Sequence, residues 1–206
     1  MNPPLQPRAP SAPPRGAAMK PALVRRRRAA IARRLHSGAP AISARIDWAA
    51  LDAAPGWLGM SDPELARFAM RVGALTCAPT LRMWIDASRL SAANAAIGTR
   101  FLQSLLTLPE AQVPLPRDLT DGPAIGTADR VVPVLRASGL AVLVASLPTG
   151  PLREAAASLW EPVKPSEMAD ELARILIARV QSLAASAEPA PASEAKASRA
   201  EHGEPA

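Results

Sequence analysis

SDPELARFAMRVGALTC, residues 61–77, carries the plainest secondary-structure signal in this 206-residue chain. Ser61 and Glu64 stand at the spacing of a capping box, and Pro63 falls where a first helical turn tolerates it. Leu65, Phe68, Ala69, Val72 and Leu75 then recur at steps of three and four. That recurrence predicts a helix with one face in a core.

Working toward the C-terminus, Pro79 separates this helix from TLRMWIDASRL, residues 80–90. Read as a helix, that segment puts Leu81, Trp84, Ile85 and Ser88 on one face and Arg82, Asp86 and Arg89 on the other. The first face predicts core. The second predicts solvent or a partner, so Arg82, Asp86 and Arg89 are the candidate protein-interface residues. Arg82 and Asp86 also stand at the i,i+4 spacing of an ordinary intrahelical ion pair. A third helix is expected over 91–108, burying Ile97, Phe101, Leu105 and Leu108 and stopping at Pro109.

Residues 109–126 combine turn-forming residues with no periodicity and predict a long surface loop. Helices are expected again over 127–147, with Pro133 near its start, and over 151–160. A last one, over 166–185, carries its apolar face on Met168, Leu172, Ile175, Leu176, Val180 and Leu183. Glu167, Asp170 and Glu171 sit near its N-terminus, where the helix dipole favours negative charge. Strand-type alternation is scarce and the chain has no tyrosine. The expected fold is therefore all-α: one compact domain of about six helices over 46–186, between a disordered arm (1–45) and a disordered acidic tail (187–206).

Charge is distributed to match that division. Residues 1–45 hold ten Lys/Arg and no acid, residues 46–186 hold twelve against fourteen, and residues 187–206 hold two against four. The net charge of +6 thus belongs to the arm, and the body is slightly acidic. Within the arm, residues 1–21 are rich in Pro and Ala, too poor in apolar periodicity to offset chain entropy. Met19 offers a second potential start of translation. LVRRRRAAIARRLH, residues 23–36, follows with six arginines in fourteen positions. Val24, Ile31 and Leu35 fall on one narrow helical stripe, which Arg28 interrupts. Arg25, Arg26, Arg27, Arg28, Arg33 and Arg34 are the candidate contacts to an anionic surface. An Arg-rich, acid-free leader also has the composition of an organellar transit peptide.

The sequence offers little chemistry. Cys77 is the single cysteine, and the two histidines, His36 and His202, fall in the expected arm and tail. That set does not make a zinc site or orient a nucleophilic thiol. Phosphate-binding glycine motifs are missing. Asp118, Asp121 and Asp129 read as turn formers rather than as an acid/base pair. No apolar run reaches the roughly 18–20 residues of a membrane helix; GLAVLVASLP, residues 139–148, reads as a buried helix. Neither enzymatic activity nor a cofactor is expected, and a helical interaction module is. The alternative is a small basic nucleic-acid-binding protein acting through its arm, although the arm has no aromatic residue for base stacking.

LARFAMRVGALTCAPTLRMWIDASRL resembles the SctK family, accessory proteins of the bacterial type III secretion sorting platform, through Arg71 and Gly73, then Leu81–Arg82 and Ala87–Ser88. The resemblance continues through FLQSLLTLP and through RASGLAVLVASLP, with Ser138, Gly139 and Leu140 at the matching place. It spans roughly residues 60–183 and lies in order and spacing; the basic arm and acidic tail depart from it. It implies a helical, non-enzymatic adaptor in the bacterial cytoplasm, peripheral to the inner membrane. Its implied partners are the cytosolic domain of the ring protein SctD and the SctQ pods, and through them the SctL stalk and SctN ATPase. The arm is expected to add weak contact with the anionic membrane surface.

Overall fold

The computed structural model describes residues 21–109, 125–160 and 168–187. Every regular element among them is helical, in agreement with the all-α expectation. In chain order these are α1 (Pro21–Gly38), α2 (Pro40–Ser43), α3 (Trp48–Ala53), a 3-10 turn (Gly56–Gly59), α4 (Asp62–Thr76) and α5 (Ala78–Arg82). After them come α6 (Ala87–Ile97), α7 (Thr99–Thr107), α8 (Ala128–Ala145), α9 (Pro151–Leu159) and α10 (Asp170–Ala187). Buried side chains from α1 and from α3 through α10 join in one hydrophobic cluster, against which Ile42 of α2 packs.

The centre of that cluster is the crossing of α4 and α8, the largest helix–helix contact among the described residues. α4 starts where its sequence predicts: the Glu64 carboxylate accepts from the Ser61 backbone N–H at 2.9 Å and from the Ser61 hydroxyl. Leu65, Phe68, Ala69, Val72 and Leu75 are all buried, as their spacing requires. The helices meet backbone to backbone at Gly73 and Gly139. A Cβ on Gly73 would lie 1.9 Å from the Leu135 carbonyl oxygen, and one on Gly139 would lie 1.7 Å from that of Ala69. No side chain fits there. Val131, Leu135, Val142 and Leu143 of α8 are buried as well, and Pro133 lies inside α8 without ending it.

Residues 80–90 do not form one helix. α5 stops at Arg82, and Asp86 starts α6 by accepting from the Ser88 N–H at 2.8 Å. Breaking the helix between them separates the expected face: Trp84 is buried, whereas Ile85 is 97% exposed. The helix expected over 91–108 is also divided. Gly98, at φ +90°, ends α6 and begins α7, a backbone conformation that L side chains rarely adopt. On α10 the buried residues are Ala173, Leu176, Ile177, Val180 and Leu183, while Ile175 faces out. The helix is thus rotated slightly from the face its periodicity suggests. Most of the expected loop, residues 110–124, lies outside the described residues, as do 1–20 and the tail 188–206; Ile125 at the loop's end is buried.

The largest correction concerns the arm. Residues 21–38 form α1 and residues 40–43 form α2, so the helical body begins well before residue 46. Ile31 and Leu35, the apolar stripe of the basic segment, are both 0% exposed, and α1 packs on α2, α3, the 3-10 turn and α9. Burial of these two large aliphatic side chains contributes to docking a helix that is otherwise poor in apolar residues, and Arg27, Arg28 and Arg34 add bonds to the segment that follows. Gly38 allows its C-terminus to approach Leu159 of α9.

Two consequences are measurable by urea titration. Gly73→Ala or Gly139→Ala forces two backbones apart and costs roughly 3 kcal/mol or more, whereas Gly56→Ala, with nothing near its added carbon, is close to neutral; equal stability of all three variants would contradict the crossing. Leu35→Ala lowers the unfolding free energy by about 2–5 kcal/mol, where a detached arm would leave it unchanged.

Candidate functional site

Of Arg82, Asp86 and Arg89, the structure pairs Asp86 with Arg89, and each of the three is engaged within the chain. The Arg82 guanidinium donates to the Leu105 carbonyl at 3.4 Å and to that of Leu108, at the C-terminus of α7. Asp86 accepts from the Ser88 hydroxyl at 2.7 Å and from Arg89 Nε at 3.1 Å. The Ser88 hydroxyl, then the Ser88 backbone N–H, hold the Asp86 carboxyl below the usual carboxylate range, with Arg89 adding to the effect. Arg89 lies over the Trp84 ring, 5.4 Å from its centroid, and donates to the Ile125 carbonyl at 3.2 Å. The i,i+4 pairing of Arg82 with Asp86 is replaced by Asp86–Arg89 at i,i+3, because the helix break intervenes. Met83 and Ile85 between them are the exposed apolar side chains of this corner.

The arginine run divides in two. Arg27 donates to the Ala54 carbonyl at the end of α3. Arg28 grips both oxygens of Asp52, with Nε to Oδ1 at 2.7 Å, while lying 5.4 Å from the centroid of the Trp48 ring. Arg34 donates to the carbonyls of Leu58, at 2.8 Å, and Met60, and pairs with Asp62 at 2.7 Å. These three stitch α1 to the segment that follows it. Arg25, Arg26 and Arg33 are exposed and remain facing solvent.

Reactive groups do not converge among the described residues. Cys77 is buried, which pushes its thiol pKa up, and its Sγ is 4.0 Å from Ser138 Oγ. His36 sits on α1, 3.2 Å from Ser43 Oγ. Asp129 is held below its ordinary pKa, chiefly by the Thr127 hydroxyl at the start of α8. Asp118, Asp121 and His202 lie outside the described residues. No group of three or more His, Cys, Asp and Glu is placed to hold a metal ion among the described residues, and no helix there is long and apolar enough to cross a membrane.

What the tertiary structure builds, and the sequence did not announce, is concave surface along α1. A groove of about 870 Å³ opens between α1, the 59–62 connection, α4, α8 and the end of α9. Arg33, Arg34 and Arg136 stand on its walls, with Leu65, Leu140 and Trp160 among its apolar lining. A second groove of about 520 Å³ lies between α1 and α3, where Leu35, Ile46, Leu51 and Trp48 meet Arg33 and His36. Arg136 is more than a hundred positions from Arg33, so no local pattern could have joined them.

Fold and surface together define an all-α protein whose described residues present an arginine-lined groove along α1. Comparison of the chain with protein-family models, with curated proteins and with solved structures finds no match to any of them.

The Asp86 carboxylate gives a pH-dependent expectation. Its folded pKa is depressed, so its contribution is present above the unfolded value and is lost as pH falls through the folded one. Asp86→Ala lowers the thermal midpoint at about pH 7, and the gap to the parent chain narrows below about pH 4. A gap that stays constant across that range would show that the carboxylate does not act as this cap.

Proposed function

We propose that this chain is a non-enzymatic adaptor of a bacterial type III secretion sorting platform, linking the cytosolic domain of SctD to the SctQ pods. The reading rests on the resemblance of residues 60–183 to the SctK family. One observation supports it above the others. Gly73 and Gly139, from two separate blocks of that resemblance, are the two residues whose missing side chains let α4 and α8 cross. Arg71 and Arg82, also in the matching block, make bonds between helices: Arg71 joins α4 to the Ile97 carbonyl of α6, and Arg82 joins α5 to the Leu105 and Leu108 carbonyls at the end of α7. Four of the positions carrying the resemblance, Arg71, Gly73, Arg82 and Gly139, thus have a part in the helical arrangement, while Ala87 and Ser88 are exposed.

As an adaptor the molecule works by rigid placement. A single hydrophobic cluster fixes its helices relative to one another, so two partners docked on different faces are held at a set separation. The proposed location is the cytoplasmic face of the inner membrane, with contact to SctL and SctN only through SctQ. Arg25, Arg26 and Arg33 add weak attraction toward anionic lipid. The nucleic-acid alternative is weakened by the engagement of Arg27, Arg28 and Arg34 with groups inside the chain.

Co-purification tests the proposal. The full chain, tagged and expressed with the SctD cytosolic domain and SctQ of the same bacterium, is expected to retain both. Failure to retain either one under conditions where the chain is folded would overturn the adaptor reading.

A further inference from the structure

The larger groove along α1 has a composition that selects its occupant. Its floor is apolar: Leu65 of α4, Leu140 of α8, and Leu159 and Trp160 at the end of α9. Its walls are cationic, with Arg33 and Arg34 on α1 facing Arg136 on α8. Asp62 is the one carboxylate lining the groove among the described residues, and it is already paired with Arg34 at 2.7 Å. Arg34 is held further by the carbonyls of Leu58 and Met60. Arg33 and Arg136 are exposed on opposite walls, and the structure shows neither with a hydrogen bond or ion pair to a described residue. The lining therefore carries two positive charges in excess, held there by helices whose positions the core fixes.

From this we infer that the groove docks an acidic amphipathic helix of a partner protein. Apolar side chains on one face of such a helix fill the floor, where Trp160 and Leu159 are only half buried in the free chain. Carboxylates flanking that face meet Arg33 on one wall and Arg136 on the other, which relieves the repulsion between like charges across the opening. A flat anionic bilayer reaches the rims but not the floor. A nucleic-acid strand satisfies the arginines but leaves its phosphates over leucine. Only a ligand with both an apolar ridge and acidic flanks uses the whole surface. The inference goes beyond the secretion reading and does not depend on it, since it follows from the groove's own chemistry.

The test uses the full chain and a fluorescein-labelled helical peptide with leucine at i, i+3, i+4 and i+7 and glutamate elsewhere. Fluorescence anisotropy is expected to show saturable binding, and a peptide with lysine in place of glutamate is expected not to bind. Arg33→Glu combined with Arg136→Glu weakens binding by about tenfold or more. Arg25→Glu combined with Arg26→Glu makes the same change in net charge away from the groove and alters binding by less than about twofold. All four side chains are exposed, so unchanged helical circular dichroism is expected in both variants and is checked first. The inference is overturned by absence of peptide binding, by equal loss in the two double variants, or by equal binding of the lysine peptide. It is likewise overturned if phosphatidylserine vesicles or a single-stranded oligonucleotide, and not the peptide, lose binding through Arg33 and Arg136.

Discussion

The contact between α4 and α8 at Gly73 and Gly139 is the constraint on which the central packing of the described residues depends. Two helices normally keep about 8–10 Å between their axes because side chains stand between them. Here each glycine presents bare backbone to a carbonyl of the opposite helix, to Leu135 in one direction and to Ala69 in the other. The close approach brings the flanking aliphatic residues, Val72, Leu75, Val131, Leu135, Val142 and Leu143, into one continuous packing layer. It also places Ser138 beside Cys77. α6 and α10 pack on both members of the pair, so their positions follow from the distance that the two glycines permit.

Around that crossing the chain uses arginine to finish its helices. The last carbonyls of a helix lack intrahelical partners, and the common remedy is a glycine in the left-handed conformation. The positive-φ glycines among the described residues are two: Gly98 closes α6 and precedes α7, and Gly150 precedes α9. Other free carbonyls, and that of Ile97 beside Gly98, are met from other elements: Arg27 reaches Ala54, Arg34 reaches Leu58 and Met60, Arg71 reaches Ile97, and Arg82 reaches Leu105 and Leu108. Each such bond is charge-assisted and joins parts of the chain more than twenty positions apart. Arginine-rich composition therefore reflects internal architecture as well as surface charge, and a count of positive residues overstates what is free to meet an anionic partner.

Legibility in the sequence followed the strength of local signals. α4 was readable in full because its cap, its proline and its apolar spacing all agree. α8 and α9 were readable because prolines and apolar runs bound them. Residues 80–90 misled because Leu81, Trp84 and Ile85 fit a helical face by spacing alone; the competing signal, Asp86 with Ser88 two positions on, is also a helix start. The basic segment carries the opposite conflict. Its charge reads as a solvated arm, whereas the stripe of Ile31 and Leu35 is what the core takes up, with Arg27, Arg28 and Arg34 bonded to the segment that follows. For the candidate site, Arg33 was visible as part of a charge run, but Arg136 carried no signal of its own.

By itself the amino-acid sequence determined the helical class, the start of α4, the near-neutral charge of residues 46–186 and the poverty of reactive groups. All of these depend on interactions within a few residues or on composition, which need no partner from elsewhere in the chain. Only the tertiary structure decided that α1 joins the body, which arginines are engaged and which face solvent, and that Arg33 and Arg136 stand across one groove. Those outcomes depend on which distant backbone carbonyls, carboxylates and aliphatic side chains the fold brings within reach. That proximity is set by which helices pack together, not by any pattern along the chain.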